Sequence, residues 1–241
     1  IGGGGDGTVN ELAHGLALLD GQSRPALGIL PLGTANDFAT CCTIPAEPLP
    51  ALRLALESPP TPVDLVQAND RYFINVASAG FGAAVTTETP VELKNFLAGG
   101  AYTLMGIIKA MNFSPYPVRL LSEQYEYEGE AVIGAICNGR QAGGGQILAP
   151  TAYINDAVFD VLIAKAFPAT ALEQVVNEIK APSPDGEFII CFQASWLESY
   201  ADKPIPVNLD GEPIHGKTIT YKIIPGVIRL AVPKNCPCIK T

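Results

Sequence analysis

Two short runs carry residue types that could handle a phosphate. The first, Gly4-Gly5-Asp6-Gly7-Thr8, opens a helix marked by Val9, Leu12, Ala13 and Leu16 at i, i+3, i+4, i+7. Glycines let a backbone come close to a phosphate, and a helix N-terminus aims unpaired N–H groups at it. By residue type alone, a flexible turn capped by Asp6 explains the run equally well. It has neither the G-K-[ST] ending of a Walker A loop nor G-x-G-x-x-G spacing. The second run is Pro31-Leu32-Gly33-Thr34-Ala35-Asn36-Asp37-Phe38-Ala39, where a strand ends at Leu30 and polar side chains open a short helix. Asn36 and Asp37 could be plain N-caps. In a parallel sheet, however, successive strand–helix junctions line the carboxyl edge, where ligands bind. Two phosphate-suited loops on one edge favour a nucleotide site over two unrelated caps.

The remaining reactive side chains are hard oxygen donors. The chain supplies aspartates, whose oxygens suit a hard cation or a proton acceptor. Phosphoryl transfer needs neutralised phosphates and an aligned hydroxyl, and a carboxylate within hydrogen-bond reach suffices as its base. Asp210 in Leu209-Asp210-Gly211-Glu212 could serve, although Asp-Gly between extended segments is also the commonest hairpin turn. Asn155-Asp156 is likewise a turn candidate, and Gly143-Gly144-Gly145 reads as close backbone packing. Six cysteines form no C-x-x-C pair and the two histidines stand apart, so a structural zinc site is not expected. Cys137 and Cys191 read as core thiols, and Cys236-Pro237-Cys238 as a frayed tail.

These residues need two kinds of scaffold. Up to Pro62 the pattern alternates helix and strand: the Val9 helix, a strand at Ala26–Leu30, and a helix with Leu49, Leu52 and Leu56 on its face. Ser58-Pro59-Pro60-Thr61-Pro62 reads as a linker. Residues 63–234 read as mainly β, with 235–241 as a tail. Strands are expected at Tyr72–Val76, Tyr125–Glu128, Ala131–Cys137, Val158–Ile163, Phe188–Gln193 and Val207–Leu209. Two more, Thr218–Ile224 and Val227–Val232, are joined by a Pro225-Gly226 turn. A helix is expected near 93–111, and another opens with a Thr170/Glu173 capping box. The fold class is thus a partial three-layer Rossmann-like α/β unit followed by an antiparallel β-sandwich. Of the 241 residues, 48% are hydrophobic and 16% charged, which excludes disorder. The net charge of −9 disfavours nucleic acid and broad sticking to anionic membranes. The longest uncharged stretch, Tyr72–Thr87, is too short and too interrupted to span a bilayer.

Taken together, the motifs resemble the bacterial diacylglycerol kinase catalytic family, soluble lipid kinases that also include sphingosine and ceramide kinases. The likeness runs through GGDGTVNE at Gly4–Glu11, PLGTANDFA at Pro31–Ala39, VDL at Val63–Leu65 and YFINVASAGFGA at Tyr72–Ala83. It continues through CNGRQAGGG at Cys137–Gly145, LAPTAYINDAVFDV at Leu148–Val161 and LDGEP at Leu209–Pro213. GGDGT alone is shared with NAD kinases and phosphofructokinases; GTANDFA with LDGE is far more specific.

The resemblance implies a two-domain ATP- and Mg2+-dependent lipid kinase, with diacylglycerol as the leading acceptor and the active site between the domains. It puts the nucleotide on Gly4, Gly5, Asp6, Gly7, Thr8, Val9, Asn10 and Glu11, with Thr34 and Asn36 nearby. It makes Asp210 the proton acceptor, Glu212 its neighbour and Asp37 an active-site acid. Asp64 would organise Mg2+ through water. A second, structural Mg2+ site maps onto the Asp156 side chain and the Tyr153 and Val158 carbonyls. The family usually has glycine after that aspartate, where Ala157 stands here. It also carries an N-terminal N-P-x-(S/A)-G loop, expected to be missing from these residues, so that 1–241 alone would bind ATP poorly. The implied setting is the cytoplasm, peripheral at the inner membrane face, with a membrane lipid as partner, no nucleic acid, and a homodimer left open. The competing readings are an NAD kinase-like enzyme for a soluble hydroxyl and a non-catalytic lipid- or nucleotide-binding regulator.

Overall fold

The computed structural model describes residues 1–80 and 115–241. The helix expected near 93–111 lies outside them. Strands β1 (Gly2–Gly4) and β2 (Ile29–Pro31) pair in parallel, Gly3 opposite Leu30. Each feeds a helix, α1 (Asp6–Ala17) and α2 (Asp37–Cys41). A third helix, α3 (Pro48–Glu57), begins with proline in its first turn, where the missing N–H costs nothing. The expected leucine face of α3 is not its buried one. Leu49 and Leu56 are 61% and 69% exposed, while Ala51 is fully buried. The reason is close approach: a Cβ on Gly28 would lie 2.5 Å from that of Ala55, so α3 packs against β2 through its small residues.

The rest is one ten-stranded antiparallel sheet, in which every described pairing runs antiparallel. Its strands are β3 (Thr61–Ala68), β4 (Arg71–Phe73), β5 (Val76–Gly80), β6 (Tyr116–Ser122), β7 (Glu126–Ala131) and β8 (Ile133–Cys137). Beyond a small hairpin, β9 (Gln141–Ala142) with β10 (Gln146–Ile147), come β11 (Phe159–Ala164), β12 (Ile189–Ala194), β13 (Trp196–Leu209) and β14 (Glu212–Leu230). The order is β12-β11-β8-β5-β13-β14-β3-β4, with β6 pairing both β13 and β7. The sheet wraps a core of Val66, Phe73, Phe159, Val161, Leu197, Leu209 and Tyr221. Helix α4 (Leu172–Lys180) places Val175 in a second apolar layer with Leu162 and Ile189.

Three expected elements differ. Tyr72–Val76 is not one strand: it breaks at Ile74–Asn75, whose N–H groups leave the ladder for the Asp210 carboxylate. Thr218–Ile224 and Val227–Val232 are not a hairpin but one strand, β14, with a bulge between Ile224 and Ile228. Gly226 there has φ +59 and gives its N–H to Asp64, as a bulge glycine can. Thr170 and Glu173 form no capping box, because α4 starts later, from Ala171, without a side-chain cap.

The two halves share a core. Val9, Phe38, Leu65, Ile228 and Leu230 belong to one buried cluster, and Leu27 bridges in parallel to Leu230. Among the described residues, no helix is long and apolar enough to cross a membrane.

Candidate active site

The two glycine loops meet backbone to backbone. A Cβ on Gly33 would lie 2.3 Å from the Gly5 Cα, and the Leu32 N–H donates to the Gly4 carbonyl at 2.9 Å. Asn36, at φ 52, folds back on its own loop: its Oδ1 accepts the Gly33 N–H at 2.9 Å and its Nδ2 donates to the Gly33 carbonyl at 2.8 Å. Gly5 caps α1 without a side chain, so no side-chain cap meets the first-turn amides. Asp6 does not cap its own helix; its Oδ1 takes the Phe38 N–H of α2 at 3.0 Å and ties the loops together. Thr8 fills the space a Gly4 side chain would need. Gly7, Glu11 and Thr34 are exposed, whereas Val9 belongs to the core.

Asp210 sits in the two-residue β13–β14 turn at φ 49, followed by Gly211 at φ 108. It is therefore the hairpin aspartate, and its carboxylate turns to the backbone between β4 and β5. Its Oδ2 accepts the N–H groups of Ile74 and Asn75 at 2.9 and 2.8 Å, and its Oδ1 accepts that of Val76 at 2.6 Å. A carboxylate oxygen has two lone pairs. Among the described residues Oδ2 uses both, while Oδ1 keeps one. Burial pushes the Asp210 carboxyl up to about 7 against these three donors, and the nearby Asp6 charge adds to the rise. Asn10 reaches the same turn, its Nδ2 donating to the Leu209 carbonyl at 3.4 Å. Glu212 begins β14, opposite Leu209.

Asp37 is buried under the β9–β10 hairpin. Its oxygens accept the N–H groups of Gly144 and Gly145 at 2.7 and 2.6 Å, and Gln141 Nε2 lies 3.3 Å away. These glycines have φ +86 and +96, a backbone shape that presents amides to a carboxylate. Burial raises the Asp37 carboxyl, with Asp6 contributing. Asp6 thus acts electrostatically on both Asp37 and Asp210.

Asp64 goes elsewhere. Its carboxylate accepts the N–H groups of Gly226 and Ala157, each at 2.8 Å, and its neighbour is Asp156. Burial, then the Asp156 charge, raises it. The Asp156 side chain is only 4% exposed; Oδ2 lies 3.6 Å from Lys240 Nζ, and Oδ1 has no hydrogen-bond partner. A buried, unpartnered carboxylate oxygen beside a second carboxylate fits a hard cation, with the Tyr153 and Val158 carbonyls as the expected further donors. Among the described residues, no three or more His, Cys, Asp or Glu side chains are grouped to hold a metal, so such an ion would depend on backbone oxygens.

Comparison with known proteins matches residues 1–68 to the diacylglycerol kinase catalytic domain and 75–232 to the YegS C-terminal NAD kinase beta sandwich-like domain. The "Probable lipid kinase YegS-like" of Shewanella frigidimarina is 46% identical over 238 residues, covering 98% of this chain and 77% of that protein. The chain belongs to the YegS-like lipid kinase family. A second YegS-like relative, the "Probable lipid kinase YegS" of Salmonella newport, is 40% identical across 100% of this chain and 80% of its own length. A diacylglycerol kinase structure from Bacillus anthracis superposes with TM-score 0.77 at 26% identity, over 97% of this chain and 77% of that one.

Within this YegS-like chain, three residues of the site were not singled out from sequence. Asn75 gives its N–H to Asp210 and its Nδ2 to the Gln141 carbonyl at 3.0 Å. Asn138 donates from Nδ2 to the Ile74 and Asp64 carbonyls at 2.7 and 3.1 Å. Gln141 joins that network to Asp37. Buried amides inside otherwise apolar runs, IN at Ile74-Asn75 and CN at Cys137-Asn138, were the available signal, because such groups must find partners.

Proposed function

We propose that the protein is an ATP-dependent lipid kinase that transfers the γ-phosphate to the hydroxyl of diacylglycerol, giving phosphatidic acid. The observation that carries the reading is the Asp210 carboxylate, fixed by three backbone N–H groups, raised by burial and by the Asp6 charge, and with acceptor capacity left on Oδ1 among the described residues. The phosphates would lie against the Gly4–Glu11 loop, close to Thr34 and Asn36. The lipid hydroxyl would give its proton to Asp210 Oδ1 as its oxygen bonds to the γ-phosphorus and the bond to the ADP oxygen breaks. A carboxyl with pKa near 7 is matched to such a transfer at neutral pH. Asp37 holds the Gly144–Gly145 backbone, and Glu212 stands beside the base. Asp64 would organise the Mg2+ of the reaction through water, and Asp156 with the Tyr153 and Val158 carbonyls would hold a second, structural Mg2+. Bound Mg2+ supplies positive charge that offsets the clustered carboxylates.

We take 63–234 as the lipid-binding half and 1–62 as part of the nucleotide-binding half, acting at the cytoplasmic membrane face. The NAD kinase-like description of the sandwich supports a soluble hydroxyl as the competing acceptor. Transfer of labelled γ-phosphate by the full-length protein, offered hydroxyl lipids in mixed micelles with NAD as soluble control, separates the two. Label in one organic-phase product supports the reading, and label confined to NADP, or none at all, overturns it.

A further inference from the structure

The C-terminal tail is not frayed. Cys236 and Cys238 are buried in one cluster with Cys41, Cys42, Phe38 and Ile154. The tail is clamped along its length. The Cys238 carbonyl accepts the Ile154 N–H at 2.9 Å, Arg140 donates to the Pro237 carbonyl, and Lys240 and Asn155 exchange two hydrogen bonds, at 2.7 and 3.0 Å. Four thiols therefore meet where the end of α2 touches the tail. Cys238 Sγ donates to the Cys41 carbonyl at 3.1 Å. It also interacts with the thiols of Cys41, Cys42 and Cys236, and Cys42 with Cys236. The other two cysteines, Cys137 and Cys191, lie in the separate layer against α4.

Four thiols could serve a soft metal, but no group of the described side chains has the arrangement of a metal site. What remains is thiol–disulfide chemistry. Hydrogen bonding with Cys238 lowers the thiols of both Cys41 and Cys236, whereas contact with Cys236 and burial raise that of Cys42; of the two lowered thiols, Cys41 is the one on α2, where Cys238 Sγ already reaches its carbonyl. A lowered thiol beside a resolving partner is the arrangement of a redox-responsive pair.

We propose that Cys41 and Cys238 form a reversible disulfide when the protein meets a hydroperoxide. The Cys41 thiolate attacks the peroxide: an S–O bond forms, the O–O bond breaks, and the leaving oxygen takes a proton and departs as water or alcohol. The Cys238 sulfur then attacks the sulfenic sulfur: an S–S bond forms, the S–O bond breaks, and hydroxide leaves with the Cys238 proton as water. The pair gives up two electrons to the peroxide, and a dithiol reductant returns them. The cross-link joins α2, which begins at Asp37, to the tail that braces the loop carrying Asp156. It therefore staples the nucleotide loop to the proposed metal loop, whichever substrate the protein uses.

The test treats the full-length protein with hydrogen peroxide, quenches free thiols, and maps peptides without reduction, using fragmentation to assign the sulfurs. The expected result is a Cys41–Cys238 cross-linked peptide two hydrogens lighter than its free components, lost on treatment with dithiothreitol. Cys238→Ser removes it, while Cys137→Ser and Cys191→Ser retain it. The wild-type map decides even if the Cys238 variant does not fold. Cross-links confined to another pair, over-oxidised thiols alone, unreacted thiols, or stoichiometric zinc in the purified protein would each overturn the proposal.

Discussion

A methyl group on Gly33 would come within 2.3 Å of the Gly5 Cα, so the two glycine loops leave no room for a side chain between them. The obstruction is backbone and cannot swing aside. Gly33→Ala should separate the loops, with a loss of about 1–3 kcal/mol of stability and at least about a tenfold loss of nucleotide affinity as the loop amides move. Gly7→Ala is the matched control. Its Cβ would meet nothing within 4 Å, so stability should hold or rise by up to about 1 kcal/mol from helix propensity. Chemical denaturation and calorimetric titration with a non-hydrolysable ATP analogue check both.

The Asp210 carboxyl, pushed up to about 7, gives a pH dependence with a definite sign. Only the ionised form accepts a proton, so kcat/KM should climb about tenfold per pH unit below that value and level off above it. The folding contribution runs the other way. A carboxyl raised in the fold is bound to its proton more tightly there than in the unfolded chain. Its stabilisation is therefore fully present below the unfolded pKa of about 4 and is lost as pH rises through about 7. Asp210→Asn should lower turnover by about 10²–10⁴-fold and remove the acidic limb of the profile. It should also cost about 1–3 kcal/mol, because its amide group brings a donor against the backbone N–H groups that faced an acceptor. A pH–rate profile with an unfolding curve for each variant separates the two effects, and a retained acidic limb in Asp210→Asn would rule out Asp210 as the titrating group.

The features legible in sequence were those set locally. The glycine loops, the Asp210-Gly211 hairpin and the alternation of β7 all follow from neighbouring residues. What escaped the sequence depends on partners far along the chain. The strand break at Ile74 answers to a carboxylate 136 positions away, and the bulge at Gly226 to one 162 positions away. The exposed Leu49 and Leu56 reflect a packing distance set by Gly28, which periodicity does not encode. The tail looked frayed because its anchors, at Cys41 and Ile154, lie far from it in sequence.

Asp156 Oδ1, buried without a partner and beside Asp64, should make stability respond to Mg2+. A bound ion would relieve two like charges and satisfy the orphaned oxygen. Millimolar Mg2+ should raise the melting temperature over that in EDTA, by an amount that grows with ion concentration as mass action requires. Asp156→Asn should abolish the difference, and Lys240→Met, which removes the ammonium 3.6 Å from Oδ2, should enlarge it. Equal melting temperatures with and without Mg2+ in the wild type would exclude a cation at this carboxylate.

Ala157 adopts φ +63, where its Cβ crowds the backbone. Left-handed geometry costs an L-residue about 1–2 kcal/mol, and glycine escapes that cost while losing about 0.4–1 kcal/mol through its more flexible unfolded chain. Ala157→Gly should therefore stabilise the fold by up to about 1 kcal/mol. The side chain is exposed and makes no core contact, and the Ala157 N–H that donates to Asp64 survives the change. Ala157→Val tests the cause. Branching at Cβ worsens the same clash, so it should destabilise although it adds apolar surface. If urea denaturation ranked valine as the most stable of the three, φ strain could not be what limits this loop.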